Sequence, residues 1–74
     1  MSILPILSAR AIVSKLTRAG FYHVYTKGSH YYFKHSTSGR ITVVPFHGGQ
    51  DIGRGLLSKI IKQAGLTIKD FIKL

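Results

Sequence analysis

The 74-residue chain contains no cysteine, two acidic residues, two prolines and no long hydrophobic run. Without cysteine, neither a disulfide framework nor a thiolate metal site can staple so small a fold. The two acids, Asp51 and Asp70, cannot supply the clustered carboxylates that Mg²⁺ sites and two-metal nucleases require. Glycoside hydrolysis by paired carboxylates fails on the same count. Any catalysis therefore has to run on histidine, lysine, arginine, tyrosine or serine, and no cofactor is expected. The apolar opening "MSILPILS" lacks a basic n-region, is interrupted by Pro5 and meets charge again at Arg10. It reads as neither a signal peptide nor a membrane span. A soluble, cytoplasmic protein with no membrane partner is the expectation.

What the chain has in excess is positive charge. Eleven Lys and Arg against two acids give a formal net charge of +9. So one-sided a balance points to an anionic partner, with nucleic acid ahead of an acidic protein or an anionic membrane. Hydrophobic residues make up 45% of the chain, which supports a folded core rather than disorder. The length suits one domain, residues 1–74, with no room for a second core.

Residues 8–19, "SARAIVSKLTRA", place Ala9, Ile12, Val13, Leu16 and Ala19 at helical spacing, with Arg10, Ser14, Lys15, Thr17 and Arg18 turned outward. Ser8 is a natural N-cap and Gly20 a natural stop. The aromatic and β-branched runs "FYHVYT" and "SHYYFKH" flank Lys27-Gly28 and predict a β-hairpin. After the turn "STSG", "RITVVPF" predicts a third strand ended by Pro45. Short connections make all three strands antiparallel. "HGGQDIGRG" is then a glycine-rich loop into a second helix with Leu57, Ile60, Ile61 and Ala64 as its apolar stripe and Gly65 as its stop. Thr67 and Asp70 open a short terminal helix with a variant capping box. The order is α-β-β-β-α plus a short helix, an α+β fold with a three-stranded antiparallel sheet and helices on one face. Alternation along the second strand sends His30, Tyr32 and Lys34 to the open face and Tyr31 and Phe33 to the core.

Four histidines, His23, His30, His35 and His47, are the obvious chemical groups. His23, His30 and His35 could approach one another across a hairpin. None has the i, i+4 spacing of a helical zinc site, however, and no carboxylate is at hand, so no metal site is expected. His30 follows a tight turn in which Gly28 allows close approach and Lys27 supplies charge. Imidazole exchanges protons near neutral pH, as general acid–base catalysis requires; the plain alternative is an exposed strand-end ring. On RNA the ribose 2′-OH can serve as internal nucleophile, with a base to take its proton and cations to stabilise the charged transition state. His30 with Lys27, Lys34 and nearby arginines could fill those roles. DNA, lacking the hydroxyl, is not an expected substrate.

The rings of Tyr22, Tyr25, Tyr31, Tyr32 and Phe33 could stack bases, although alternation buries about every second one. Tyr32 is the expected exposed platform. Gly48, Gly49, Gly53 and Gly55 precede a helix but fit neither a Walker A nor a G-x-G-x-x-G phosphate loop. A turn into a helix is the better account. The lysines of "LLSKIIKQAG" could face a membrane, but the apolar stripe is only as wide as core packing needs.

"GFYHVYTKGSHYYF", then "VPFH", then "IGRGLLSKIIKQAGLTIKDF" resemble the HicA toxins of bacterial type II toxin–antitoxin systems. Four landmarks carry the resemblance over about residues 8 to 72: a glycine after helix one, G-S-H in strand two, V-P-x-H after strand three, and a Q-A-G helix followed by phenylalanine. The resemblance implies a double-stranded-RNA-binding-domain-like fold and an endoribonuclease that cleaves mRNA and arrests translation. By the G-S-H match the catalytic histidine falls on His30, presented by Gly28 and Ser29. Lys27, Tyr32 and Lys34 complete the expected substrate contacts, and a HicB-type antitoxin is the expected protein partner. Two positions depart from the family pattern. Leu56 stands where a threonine is common, with consequences for helix capping, and Tyr25 stands where an arginine is common, with consequences for phosphate contact. A non-catalytic RNA-binding module and a protein aimed only at an acidic partner are the competing readings.

Overall fold

The computed structural model describes residues 4–47 and 49–74. Residues 1–3 of the apolar opening and Gly48 of the glycine-rich loop lie outside that description. The elements run β1 (Leu7–Ser8), α1 (Ala9–Arg18), β2 (Phe21–Lys27), β3 (His30–His35), β4 (Ile41–Pro45), β5 (Asp51–Ile52), α2 (Arg54–Gln63) and α3 (Ile68–Lys73). Strands β2-β3-β4 form the expected three-stranded antiparallel sheet. Two additional short strands, β1 and β5, pair with each other through Leu7↔Ile52 and Ser8↔Asp51. Neither is expected from sequence, where Ser8 reads only as a helix cap and Asp51-Ile52 as part of a loop.

Local chemistry accounts for the ends of the elements. Ser8 caps α1, its Oγ accepting from the Ala11 N–H at 3.1 Å. Gly20 follows the helix at φ 102°, where a Cβ would lie 3.0 Å from the His35 ring. Thr67 caps α3 through the Asp70 N–H at 3.1 Å. The reciprocal side-chain bond of a full capping box is absent among the described residues. The β2–β3 loop is Gly28-Ser29, one residue later than expected, because Lys27 and His30 already pair. Gly28 takes φ 60° while Ser29 stays at negative φ, the pattern of a type II′ hairpin turn with glycine first.

Register decides which side chains share a face. Tyr31 pairs with Val44 and Phe33 with Thr42, while His30 pairs with Pro45, Tyr32 with Val43 and Lys34 with Ile41. The first set turns toward the helices, where Phe33, Thr42 and Val44 are buried with Ile12 and Leu16 of α1 and Leu57, Ile60 and Ile61 of α2. The second set lies on the opposite face, as alternation predicts. Lys15, expected in solvent, is instead half-buried. Its Nζ lies 5.5 Å from the centroid of the Phe71 ring and donates to the Leu74 carbonyl at 2.9 Å, which holds α3 against α1. Thr42 ties sheet to helix, its buried hydroxyl donating to the Ile60 carbonyl at 3.0 Å.

Candidate active site

α2 packs beside β4 and so flanks the open face of the sheet at the end where the hairpin turns. Between them lies a cleft of about 420 Å³ lined by His30, Tyr32, Val43, Pro45, His47, Leu56, Lys59, Ile60 and Gln63. The sheet supplies its floor through the cross-strand pairs His30↔Pro45 and Tyr32↔Val43. One side of α2 supplies its wall, with Leu56, Lys59 and Gln63 spaced as successive turns require. His30 and His47 face each other with ring centroids 6.4 Å apart and planes at 88°. His47 also lines a second cleft, of about 290 Å³, with Ser8, Arg10, Phe46 and Gln50. Neither cleft is lined by a carboxylate, so Lys59 in one and Arg10 in the other present uncompensated positive charge to whatever enters.

Of the residues expected at the site, the cleft brings together His30 and Tyr32. Lys27, Gly28, Ser29 and Lys34 stand outside its lining. Lys27 lies directly opposite His30 on the neighbouring strand. Gly28 and Ser29 form the turn, which is pinned where the Ser29 carbonyl accepts from the Phe46 N–H at 2.7 Å. Lys34 lies further along the same face, opposite Tyr22 and Ile41. Sequence reasoning misses Lys59 and Gln63 as cleft residues and takes Leu56 only as a helix-capping position. It also leaves His47 without a role. The i, i+3, i+7 spacing of Leu56, Lys59 and Gln63 is the available signal; what it lacks is the docking of α2 on β4.

The remaining histidines are turned elsewhere. His23 and His35 pair with Phe33 and Phe21 and so lie on the helix side, opposite His30. The His23 ring hydrogen-bonds the Thr26 hydroxyl at 2.7 Å and sits 5.5 Å from the Tyr31 ring. Among the described residues no group of three or more histidine or acidic side chains comes together as a metal ligand set.

Aromatic rings continue the open face beyond the cleft. Tyr25 stacks on Tyr32 at 4.3 Å with an interplanar angle of 11°. About half of the Tyr25 surface remains exposed, as does about half of Tyr22. The Tyr25 phenol is held above its ordinary pKa, first by loss of water against its neighbour and then by the adjacent Tyr32 phenol.

Residues 9–66 match the family model described as the HicA toxin of bacterial toxin–antitoxin. A stretch of 40 residues is 52% identical to a protein of Pseudomonas fluorescens (strain Pf0-1) named "Probable mRNA interferase HicA", covering 54% of this chain. The match spans 63% of that relative's length, just under two thirds. No helix among the described residues is long and apolar enough to cross a membrane.

Proposed function

This chain belongs to the HicA toxin family of bacterial toxin–antitoxin systems, and on that premise we propose that it is a metal-independent endoribonuclease that cleaves mRNA with His30 as general acid/base. The observation that carries the proposal is the setting of His30: an exposed imidazole in a carboxylate-free cleft, facing a second imidazole and sharing the lining with Lys59. The name of the Pseudomonas fluorescens relative, an mRNA interferase, supports the choice of substrate.

The chemistry follows from the groups present. The ribose 2′-oxygen attacks the adjacent phosphorus, and the P–O5′ bond breaks. The products are a 2′,3′-cyclic phosphate and a 5′-hydroxyl. One proton leaves the 2′-oxygen and one is delivered to the 5′-oxygen, and an imidazole on the cleft floor can take part in either transfer. Lys59 within the cleft and Lys27 across the strand from His30 put positive charge where the phosphorane becomes more negative. Tyr32, with Tyr25 stacked on it, offers a flat surface for a flanking base. The side of the sheet away from the helices is open to a strand of RNA.

A neutralising protein of the HicB type fits the same face. A net charge of +9 favours an acidic partner through steering and complementarity, and a protein seated over the cleft would exclude RNA from His30. Expression of the chain alone should arrest growth, and co-expression of such a partner should restore it. Growth unaffected by the chain alone would favour a binding module without chemistry.

The direct test compares the purified protein with a His30→Ala variant on RNA, with and without a chelator. Cleavage should persist in chelator and fall by about 10²–10⁴-fold in the variant, the range for loss of an acid–base group. Equal cleavage by both proteins would remove His30 from the chemistry, and complete inhibition by chelator would remove the metal-free mechanism.

A further inference from the structure

Transesterification of RNA needs two proton transfers on opposite sides of one phosphorus, and a single imidazole cannot occupy both positions at once. The cleft holds a second imidazole. His47 follows β4 and faces His30 with ring centroids 6.4 Å apart. At that separation the rings do not hydrogen-bond each other, yet both are within reach of oxygens on a phosphate lodged between them through bonds of about 2.7–3.2 Å. His47 is exposed, and its ring makes no hydrogen bond among the described residues. Lys59 lines the same space and is free to meet the non-bridging oxygens. By contrast His23 and His35, on the other side of the sheet, are each hydrogen-bonded into the fold.

We propose that His47 is the second proton-transfer group, so that His30 and His47 divide the two transfers: one accepts the 2′-OH proton as the 2′-O–P bond forms, and the other donates a proton to the 5′-oxygen as the P–O5′ bond breaks. The inference rests on the reading of this cleft as a ribonuclease site. It departs from a one-histidine mechanism in requiring two imidazoles in opposite protonation states at the start of each turnover. A bell-shaped dependence of kcat/KM on pH is the consequence.

The test pairs His47→Ala and the size-conserving His47→Gln with His30→Ala, on two versions of one oligoribonucleotide. One version is natural RNA. The other carries sulfur in place of the bridging 5′-oxygen at the mapped cleavage position. A thiol ionises near pH 8.5, far below an alcohol, so its departure needs no protonation. On natural RNA both His47 variants should lose about 10²–10⁴-fold in kcat/KM, and each histidine variant should lose one limb of the pH profile. On the thio substrate the variant lacking the acid should recover most of the lost rate, while the variant lacking the base should stay slow. Thermal unfolding of the His47 variants should match the parent protein, because the ring is exposed and makes no hydrogen bond among the described residues.

Cleavage of natural RNA by His47→Ala at close to the parent rate would overturn the assignment. So would equal losses on both substrates by both histidine variants with the bell intact, which would mark His47 as a positioning residue. A parent protein that cuts neither substrate would instead overturn the ribonuclease reading itself, and a His30→Ala variant that cuts both at full rate would remove His30, and with it the shared division of labour, from the chemistry.

Discussion

The Nδ1 atom of His35 accepts two backbone N–H groups, from Thr37 and Ser38, each at 3.1 Å. Its ring therefore carries the proton on Nε2, which donates to the Ala19 carbonyl at 2.9 Å. The ring also meets Phe21 edge-on, with centroids 5.0 Å apart. This one side chain closes the turn after β3 and ties it to the end of α1, beside Gly20, where the backbone carries no Cβ to obstruct it. His30, five positions earlier on the same strand, makes no hydrogen bond through its ring among the described residues and faces the cleft. Two histidines of one short stretch thus divide into one hydrogen-bonded into the fold and one turned to the cleft, on opposite faces of the strand. His35→Ala should lower the unfolding free energy by about 1–3 kcal/mol, since it removes all three bonds and strands the part-buried Ala19 carbonyl. The urea midpoint should fall with the slope unchanged, while cleavage per folded molecule stays near the parent value. An unchanged midpoint would contradict the structural role. That division is only half legible in the sequence. Alternation separates His30 from His35, but the partner of His35 is a carbonyl that lies 16 positions away and becomes a neighbour only when α1 packs on the sheet.

At the level of elements, β2 carries the instructive departure. Its register against β3 runs Tyr22↔Lys34 and His23↔Phe33, then skips Val24 and resumes at Tyr25↔Tyr32. The extra residue is a β-bulge, and it reverses the phase of the strand. Tyr22 and Tyr25, an odd number of positions apart, consequently share the open face, and Tyr25 reaches Tyr32 to stack on it. Strict alternation would send one of the two toward the helices, and nothing in "FYHVYT" announces the bulge. Strand β3 and the apolar stripe of α2, by contrast, follow their patterns: Phe33 is buried, His30 and Lys34 are exposed, and Leu57, Ile60, Ile61 and Ala64 are buried throughout. The two-residue strands β1 and β5 are too short to carry any periodicity, and only their mutual pairing defines them. The stacked, half-exposed ring of Tyr25 presents a π-face on which a base could stack. In a His30→Ala background, so that RNA stays intact, Tyr25→Ala should weaken binding of single-stranded RNA by about 1–3 kcal/mol. Fluorescence titration measures it; unchanged affinity would take Tyr25 out of the RNA path.

For the molecule as a whole, charge and fold act together. Helices on one side of the sheet bury the apolar stripes and leave the other side open, and the scarcity of acids leaves that open side without counter-charge. The positive charge that would favour an anionic partner is legible in the sequence, because net charge depends on composition alone. The cleft is not, because it exists only where α2 docks against β4 and brings Lys59, Gln63 and Leu56 to His30 and His47. Under the proposed mechanism such a site needs the substrate's own 2′-hydroxyl as nucleophile. The most direct test follows the fate of that hydroxyl. RNA cut by the purified protein is mapped, and a single 2′-deoxyribonucleotide is then placed immediately 5′ of the cleaved phosphate. This one change should abolish cleavage at that bond, and the parent products should end in 2′,3′-cyclic phosphate and 5′-hydroxyl. Cleavage persisting at the deoxy position, or products bearing 5′-phosphates, would contradict the proposed mechanism.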